Sequence, residues 1–110
     1  MAETRRFCLV TTTTGSEEQA REIARALVER ELAACVHLVP RVCSIYRYEG
    51  KISEDEERVL WIKTAVDLFP EVCRVIRELH TYDLPELIQV PIDGGDPDVL
   101  AWLDGALKKG

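Results

Sequence analysis

The residues best equipped for chemistry lie in ELHTYDLPELIQVPI, Glu78 to Ile92. His80 offers an imidazole, and Tyr82, Asp83 and Glu86 follow it closely with a phenol and two carboxylates. Such a mixed nitrogen and oxygen set suits a borderline divalent cation such as Cu or Zn. It is sparse, because tight sites for these ions take three or four protein ligands, mostly nitrogen or sulfur. A neighbouring subunit would have to complete it. The alternative is structural: His80 caps the preceding helix by bonding its last carbonyls, and Tyr82 packs as an interface anchor.

Other candidates are weaker. His37 sits in the apolar run CVHLVP and is expected to pack there. The acidic run Glu54–Glu57 lacks the spacing of a calcium loop and reads as a solvated arm. TTTTGSEE places a glycine before a helix start, but lacks the glycine-lysine phosphate pattern, and Glu17 and Glu18 repel a phosphate. No Ser/His/Asp order or activated-cysteine context points to covalent catalysis.

These residues need a scaffold, and 110 residues supply one domain, 1–110, with one core. The net charge of −6, with basic residues scattered among acids, argues against a nucleic-acid surface. No apolar run approaches the roughly 20 residues that span a bilayer. The opening MAETRRFCLV lacks a secretory pattern, so a cytoplasmic location is expected. Cys8, Cys35, Cys43 and Cys73 each sit in an apolar run without Cys-x-x-Cys spacing, which predicts four buried free thiols.

Apolar periodicity predicts a strand over Arg6–Thr13. A helix follows, opened by a Ser16/Gln19 capping box, with Ala20, Ile23, Ala24, Leu27 and Val28 as its inner stripe, ending near Leu32. Two long strands then flank YEGK, where Gly50 takes the positive φ of a tight turn. Thr64–Leu79 reads as a second helix, its start blurred by Pro70. Glu86–Ile92 is a last strand. Asp96-Pro97 opens a short helix that packs through Leu100, Trp102, Leu103 and Leu107, with lysines at its far end.

This βαββαβ order, plus the terminal helix, is the α+β split βαβ or ferredoxin-like arrangement. It has strand order 4-1-3-2 and both main helices on one face. Pro40 and Pro91 then fall on the two edge strands, where a missing amide donor is tolerated. The fold sharpens two exclusions. An acylphosphatase-type enzyme wants an arginine cradle after the first strand and an asparagine, and the chain has no asparagine. A metallochaperone of this fold wants Cys-x-x-Cys there.

A single copy leaves two features unsatisfied. Hairpin arms of about 12 residues reach roughly 40 Å, well beyond a domain whose radius of gyration is about 13 Å. The central strands are apolar on both faces, Phe7 and Leu9 against Cys8 and Val10 and Val59 and Trp61 against Leu60 and Ile62, while the helices cover only one face. A closed homo-oligomer with sheets packed inward covers both.

ELAACVHLVP, SIYRYEGKISEDEE, WIKT, ELHTYDLPEL and VLAWL, in this order and spacing, resemble the signature blocks of the CutA divalent-cation tolerance family. The resemblance runs from about Cys8 to Leu103. It implies a ferredoxin-like protomer assembled as a homotrimer, related in design to PII-type signalling proteins, with a role in metal tolerance, particularly copper, and no established enzymatic reaction. Tyr46, Glu49, Gly50, Lys63, His80, Tyr82, Pro85, Glu86 and Trp102 match family positions. Thr81, Asp83, Tyr48 and His37 stand where the family usually has proline, glutamate, tryptophan and a small polar residue. Thr11 and Leu79 stand where some relatives carry a cysteine and a second histidine, so a thiolate-plus-imidazole copper site does not carry over.

The expected protein is a trimer that binds a divalent cation (Cu or Zn) or a small ligand at clefts between subunits, without turnover. His80 and Glu86 would be the metal ligands, and Glu49, Lys63, Tyr82, Asp83 and Trp102 the cleft. The alternatives are a structural trimer acting as an adaptor for an unidentified protein partner, and an enzyme using Lys63 and Glu86 as acid and base.

Overall fold

The computed structural model describes residues 5–109. Its elements are β1 (Phe7–Thr14), α1 (Glu17–Glu29), β2 (Cys35–Tyr48), β3 (Lys51–Ala65), a 3-10 turn (Val66–Leu68), α2 (Phe69–Leu79), β4 (Ile88–Ile92) and α3 (Pro97–Ala106). The strands form one sheet of order β2-β3-β1-β4, antiparallel at every pairing. This is the expected order, and Pro40 and Pro91 lie on its edge strands.

Ser16 caps α1, its hydroxyl accepting from the Gln19 N–H at 3.1 Å. The second half of the expected capping box does not close. The Gln19 amide nitrogen instead donates to the Leu79 carbonyl at 3.1 Å, tying the start of α1 to the end of α2. The first helix also ends at Glu29, short of Leu32. Glu31 turns into positive φ (58°), and the amides of Leu32 and Ala33 both return to the Leu27 carbonyl. Val28, expected inside, is exposed.

The second helix starts at Phe69, five residues after the expected Thr64. Thr64 and Ala65 finish β3, opposite Cys8 and Phe7, because β1 needs a partner along its whole length. The Thr64 hydroxyl donates to the Leu32 carbonyl at 2.6 Å and keeps that strand end buried. Pro70 stands in the first turn of α2, where its missing N–H leaves no bond unmade. β4 starts at Ile88, two residues after the expected Glu86.

Asp96 caps α3 by accepting from the amides of Asp98 and Val99. Leu103 and Leu107 face inward, but Trp102, expected among them, is exposed. Arg5 clamps this end of the molecule. It pairs with Asp67 and Asp104, each at 3.1 Å, and donates to the Lys108 carbonyl at 2.6 Å. Lys108 in turn pairs with Glu71 of α2 at 2.9 Å.

The core lies between the helices and one sheet face, where Cys8, Val10, Leu60 and Ile62 meet Ile23, Leu27, Val72, Val75 and Ile76. The strand period of two sends Phe7, Leu9, Thr11 and Thr13 of β1, Trp61 and Lys63 of β3, and Ile88 and Val90 of β4 to the opposite face. Trp61, Ile88 and Val90 are about half exposed there. Thiol burial is correspondingly uneven. All four cysteines are free, with Cys8 and Cys73 buried, but Cys35 is half-buried on the open face and Cys43 is exposed on the hairpin, beyond the reach of the core.

The hairpin projects. Its arms have 14 and 15 residues, and the molecule measures 51 × 25 × 22 Å with a radius of gyration of 14.8 Å. Glu49 and Gly50, both at positive φ, make its two-residue turn. A bulge interrupts β2 between Val39, opposite Val59, and Val42, opposite Glu57. It inserts one extra residue, and Arg41 takes φ 59° within it.

Candidate functional site: an acidic cleft under the hairpin

After α2 the chain turns sharply at His80. Its backbone N–H donates to the Ile76 carbonyl, its Nε2 donates to the Thr13 carbonyl at 2.7 Å, and its Nδ1 accepts from the Tyr82 N–H at 3.0 Å. His80 is 9% exposed, and both ring nitrogens are occupied. His80 thus couples the end of α2 to β1 and sets the direction of the segment that follows.

That direction sends Tyr82 across to the hairpin. Its ring lies against His80, with centroids 4.5 Å apart, and its hydroxyl donates to Glu57 Oε2 at 2.8 Å. The approach passes Gly15 so closely that a Cβ there would lie 3.1 Å from the tyrosine oxygen. Burial, together with the Glu57 carboxylate, pushes the Tyr82 phenol up to about 12. Glu57 is only 6% exposed, and among the described residues Tyr82 is its sole hydrogen-bond partner and no cation pairs with it. A carboxylate this buried without a cation is unusual.

Between hairpin and loop opens a cleft of about 710 Å³, within the range that holds small ligands. Tyr46, Tyr48, Asp55 and Glu57 line it from the hairpin; Tyr82, Asp83, Leu84, Pro85 and Glu86 line it from the loop. Tyr46 donates to Asp55, which raises the pKa of its phenol. Glu86 accepts from the Thr11 hydroxyl at 3.2 Å. The lining contains four carboxylates and no lysine, arginine or histidine.

The candidate residues named from sequence divide accordingly. Tyr82, Asp83 and Glu86 come together in the cleft. Glu49 is at the hairpin tip and Trp102 lies exposed on α3, neither of them in the cleft wall of a single chain. Lys63 is on the open sheet face, its amine 3.5 Å from His37 Nε2, which lies 3.4 Å from the Cys35 sulfur. Lys63 and Glu86 flank β1 on opposite sides, through β3 and the segment before β4, so one chain does not pair them as acid and base. His37, expected to pack within its strand, is exposed. Among the described residues no three His, Cys, Asp or Glu side chains form a metal-holding group.

Asp55 and Glu57 belong to the run Glu54–Glu57, whose sequence reads as a solvated arm, yet both line the cleft. Their alternation, Asp55 and Glu57 on one side of β3, was the available signal. What buries Glu57 is a tyrosine 25 residues away, and no local pattern reports that.

Fold and cleft together define a ferredoxin-like α+β protein with an acidic, tyrosine-walled cleft between its projecting hairpin and the loop after α2. Comparison with known proteins makes the assignment specific. The family model described as CutA1 divalent ion tolerance protein matches residues 8–106. The divalent-cation tolerance protein CutA of Thermus thermophilus is 46% identical over 95 residues, covering 86% of this chain and 92% of that protein. Mouse protein CutA is 46% identical over 88 residues, 80% of this chain but 50% of its own length. The crystal structure of CutA1 from Oryza sativa superposes with a TM-score of 0.94 at 34% identity, covering 97% of this chain and 98% of that one. This chain belongs to the CutA1 divalent ion tolerance family. The family model and the Thermus relative are named for divalent-ion tolerance, and none of these names specifies a reaction.

Proposed function

We propose that the protein is a homotrimeric binding protein that takes a cation or small ligand at clefts on its subunit boundaries, in response to metal ions or in signalling, without turnover. The observation that carries this reading is the cleft itself: four carboxylates, one of them buried without a cation, in a concave site with apolar walls. Such a site attracts positive charge and strengthens its hold by excluding water. Copper or zinc at Glu86 and its neighbours would draw its remaining ligands from an adjoining protomer, since His80 spends both ring nitrogens inside its own chain. Trimerisation would cover the open sheet face, where burying the exposed halves of Trp61, Ile88 and Val90 is worth about 1 kcal/mol each. It would also bring Glu49, Lys63 and Trp102 of other copies within reach of a cleft. The proposed location is cytoplasmic; separately, among the described residues no helix is long and apolar enough to cross a membrane.

Calorimetric titration of the full chain with Cu(II), Zn(II) and small cations tests the reading. Saturable binding that weakens when Glu57 is neutralised supports it, and no saturable binding of any cation removes it. A second reading, a trimeric adaptor for another protein, draws on the exposed Ile45 and Ile52 of the hairpin. It would require partner capture through the hairpin with an empty cleft.

A further inference from the structure

The chemistry of the cleft wall narrows the class of cation. We infer that the site is built for an organic ammonium ion, a linear diamine or polyamine, rather than a bare metal ion; the inference rests on the cation-cleft reading above. Three observations converge on it.

The first is the spread of charge. Asp55 and Glu57 stand on the hairpin, Asp83 and Glu86 on the opposite loop, and no three of the described acidic, histidine or cysteine side chains gather to hold one metal ion. Opposed, separated carboxylates match a ligand whose positive charges are themselves separated by a chain.

The second is aromatic. Tyr46, Tyr48 and Tyr82 all line the cleft. Their ring faces are negative and attract ammonium groups, by about 0.5–2 kcal/mol per contact. A hydrated divalent ion prefers oxygen ligands and gains little from a wall of rings. Leu84, 76% exposed, and Ile45, 64% exposed, offer apolar surface on which methylenes can rest.

The third is Glu57. It is more than nine-tenths buried on the cleft wall, with no cation and a single hydrogen bond, from Tyr82 to Oε2. The second oxygen has no partner among the described residues. An ammonium group has three N–H donors and would satisfy that oxygen while neutralising the charge.

The test is calorimetry on the full-length assembled protein at low ionic strength. The probes are 1,5-diaminopentane and spermidine, the uncharged isostere 1,5-pentanediol, and Zn(II). The two amines should saturate and pentanediol should not, with spermidine the tighter. Glu57→Gln should weaken amine binding about tenfold or more, and Asp83→Asn, on an exposed residue with no hydrogen bond or ion pair among the described residues, by about threefold. Amine binding equal to that of pentanediol, or unchanged in both variants, overturns the inference. Saturation by Zn(II) without the amines overturns it too, but leaves the cation cleft standing. Saturation by neither removes both.

Discussion

His80 and Thr13 are joined by a 2.7 Å hydrogen bond between an imidazole Nε2–H and a backbone carbonyl at the end of β1. The bond fixes the tautomer. With the proton on Nε2, Nδ1 accepts from the Tyr82 amide, and one side chain both fastens α2 to the sheet and aims the loop that walls the cleft.

Replacing His80 with alanine should therefore cost stability, about 1–3 kcal/mol, by leaving a carbonyl and an amide without partners. It should also loosen Tyr82. Chemical denaturation measures the first effect, and faster hydrogen exchange at the Tyr82 amide reads the second. An unchanged denaturation midpoint would show that water replaces the ring at no cost.

The Tyr82 phenol, raised to about 12 by burial and by Glu57, makes stability depend on alkaline pH. The sign follows from which state holds the proton longer. The unfolded chain releases it near the ordinary value of about 10, and the folded chain only near 12. The contribution is complete below pH 10 and lost as pH rises through the folded value. Absorbance titration at the phenolate band should show Tyr46 and Tyr82 both titrating above the ordinary range, and Tyr82→Phe should remove the component near 12.

Arg5 holds Asp67 of the 3-10 turn and Asp104 of α3 together, and its guanidinium keeps the Asp67 carboxyl below its ordinary range. A depressed carboxyl contributes stability above its unfolded value, near 3.8, and loses it as pH falls through the folded one. Asp67 is half exposed, so the pair itself is modest. Arg5→Ala should lower stability by about 1–2 kcal/mol at neutral pH, through the orphaned Lys108 carbonyl as well as the ion pairs. The difference from wild type should shrink below pH 4. A constant difference down to pH 2 would exclude the linkage.

The open sheet face can be interrogated through Cys35 and Trp61. If copies of the chain cover it, a thiol reagent should modify Cys43 readily and leave Cys35 protected. Trp61→Asp should bring the sedimenting mass toward the 12.5 kDa monomer and expose Cys35. Cys8, whose thiol burial raises to about 11, should stay unreactive in both forms. Rapid labelling of Cys35 in wild type would show an uncovered face.

Much of the architecture was legible in the sequence. The two edge prolines, the Ser16 and Asp96 caps and the Glu49-Gly50 turn are local signals, and the fold places each as they require. The failures share a physical cause. Thr64 and Ala65 belong to a strand because β1 needs a partner, and Val28 and Trp102 face outward because a helix stripe does not state how wide a face its neighbour covers. The cleft was half legible. Tyr82, Asp83 and Glu86 stood out as a cluster in one segment, but Glu57 becomes part of the site only through contact across the fold. His80 drew notice as a ligand by its chemistry, and its hydrogen bonds to distant backbone could be seen only once β1 was in place.

The bulge in β2 has a consequence beyond its kink. Ahead of it, Cys35, His37 and Val39 share a face with Trp61 and Val59; beyond it, parity inverts, and Ser44 and Tyr46 are the residues paired with Asp55 and Ser53. Without the extra residue, Cys43 and Ile45 would stand in their place. The hairpin thus behaves like a text with a shifted reading frame. An insertion or deletion of one residue near Arg41 exchanges the whole set of side chains beside the acidic ones at a stroke, with every downstream letter unchanged. Natural variation in this arm should tolerate substitutions far more readily than changes in length.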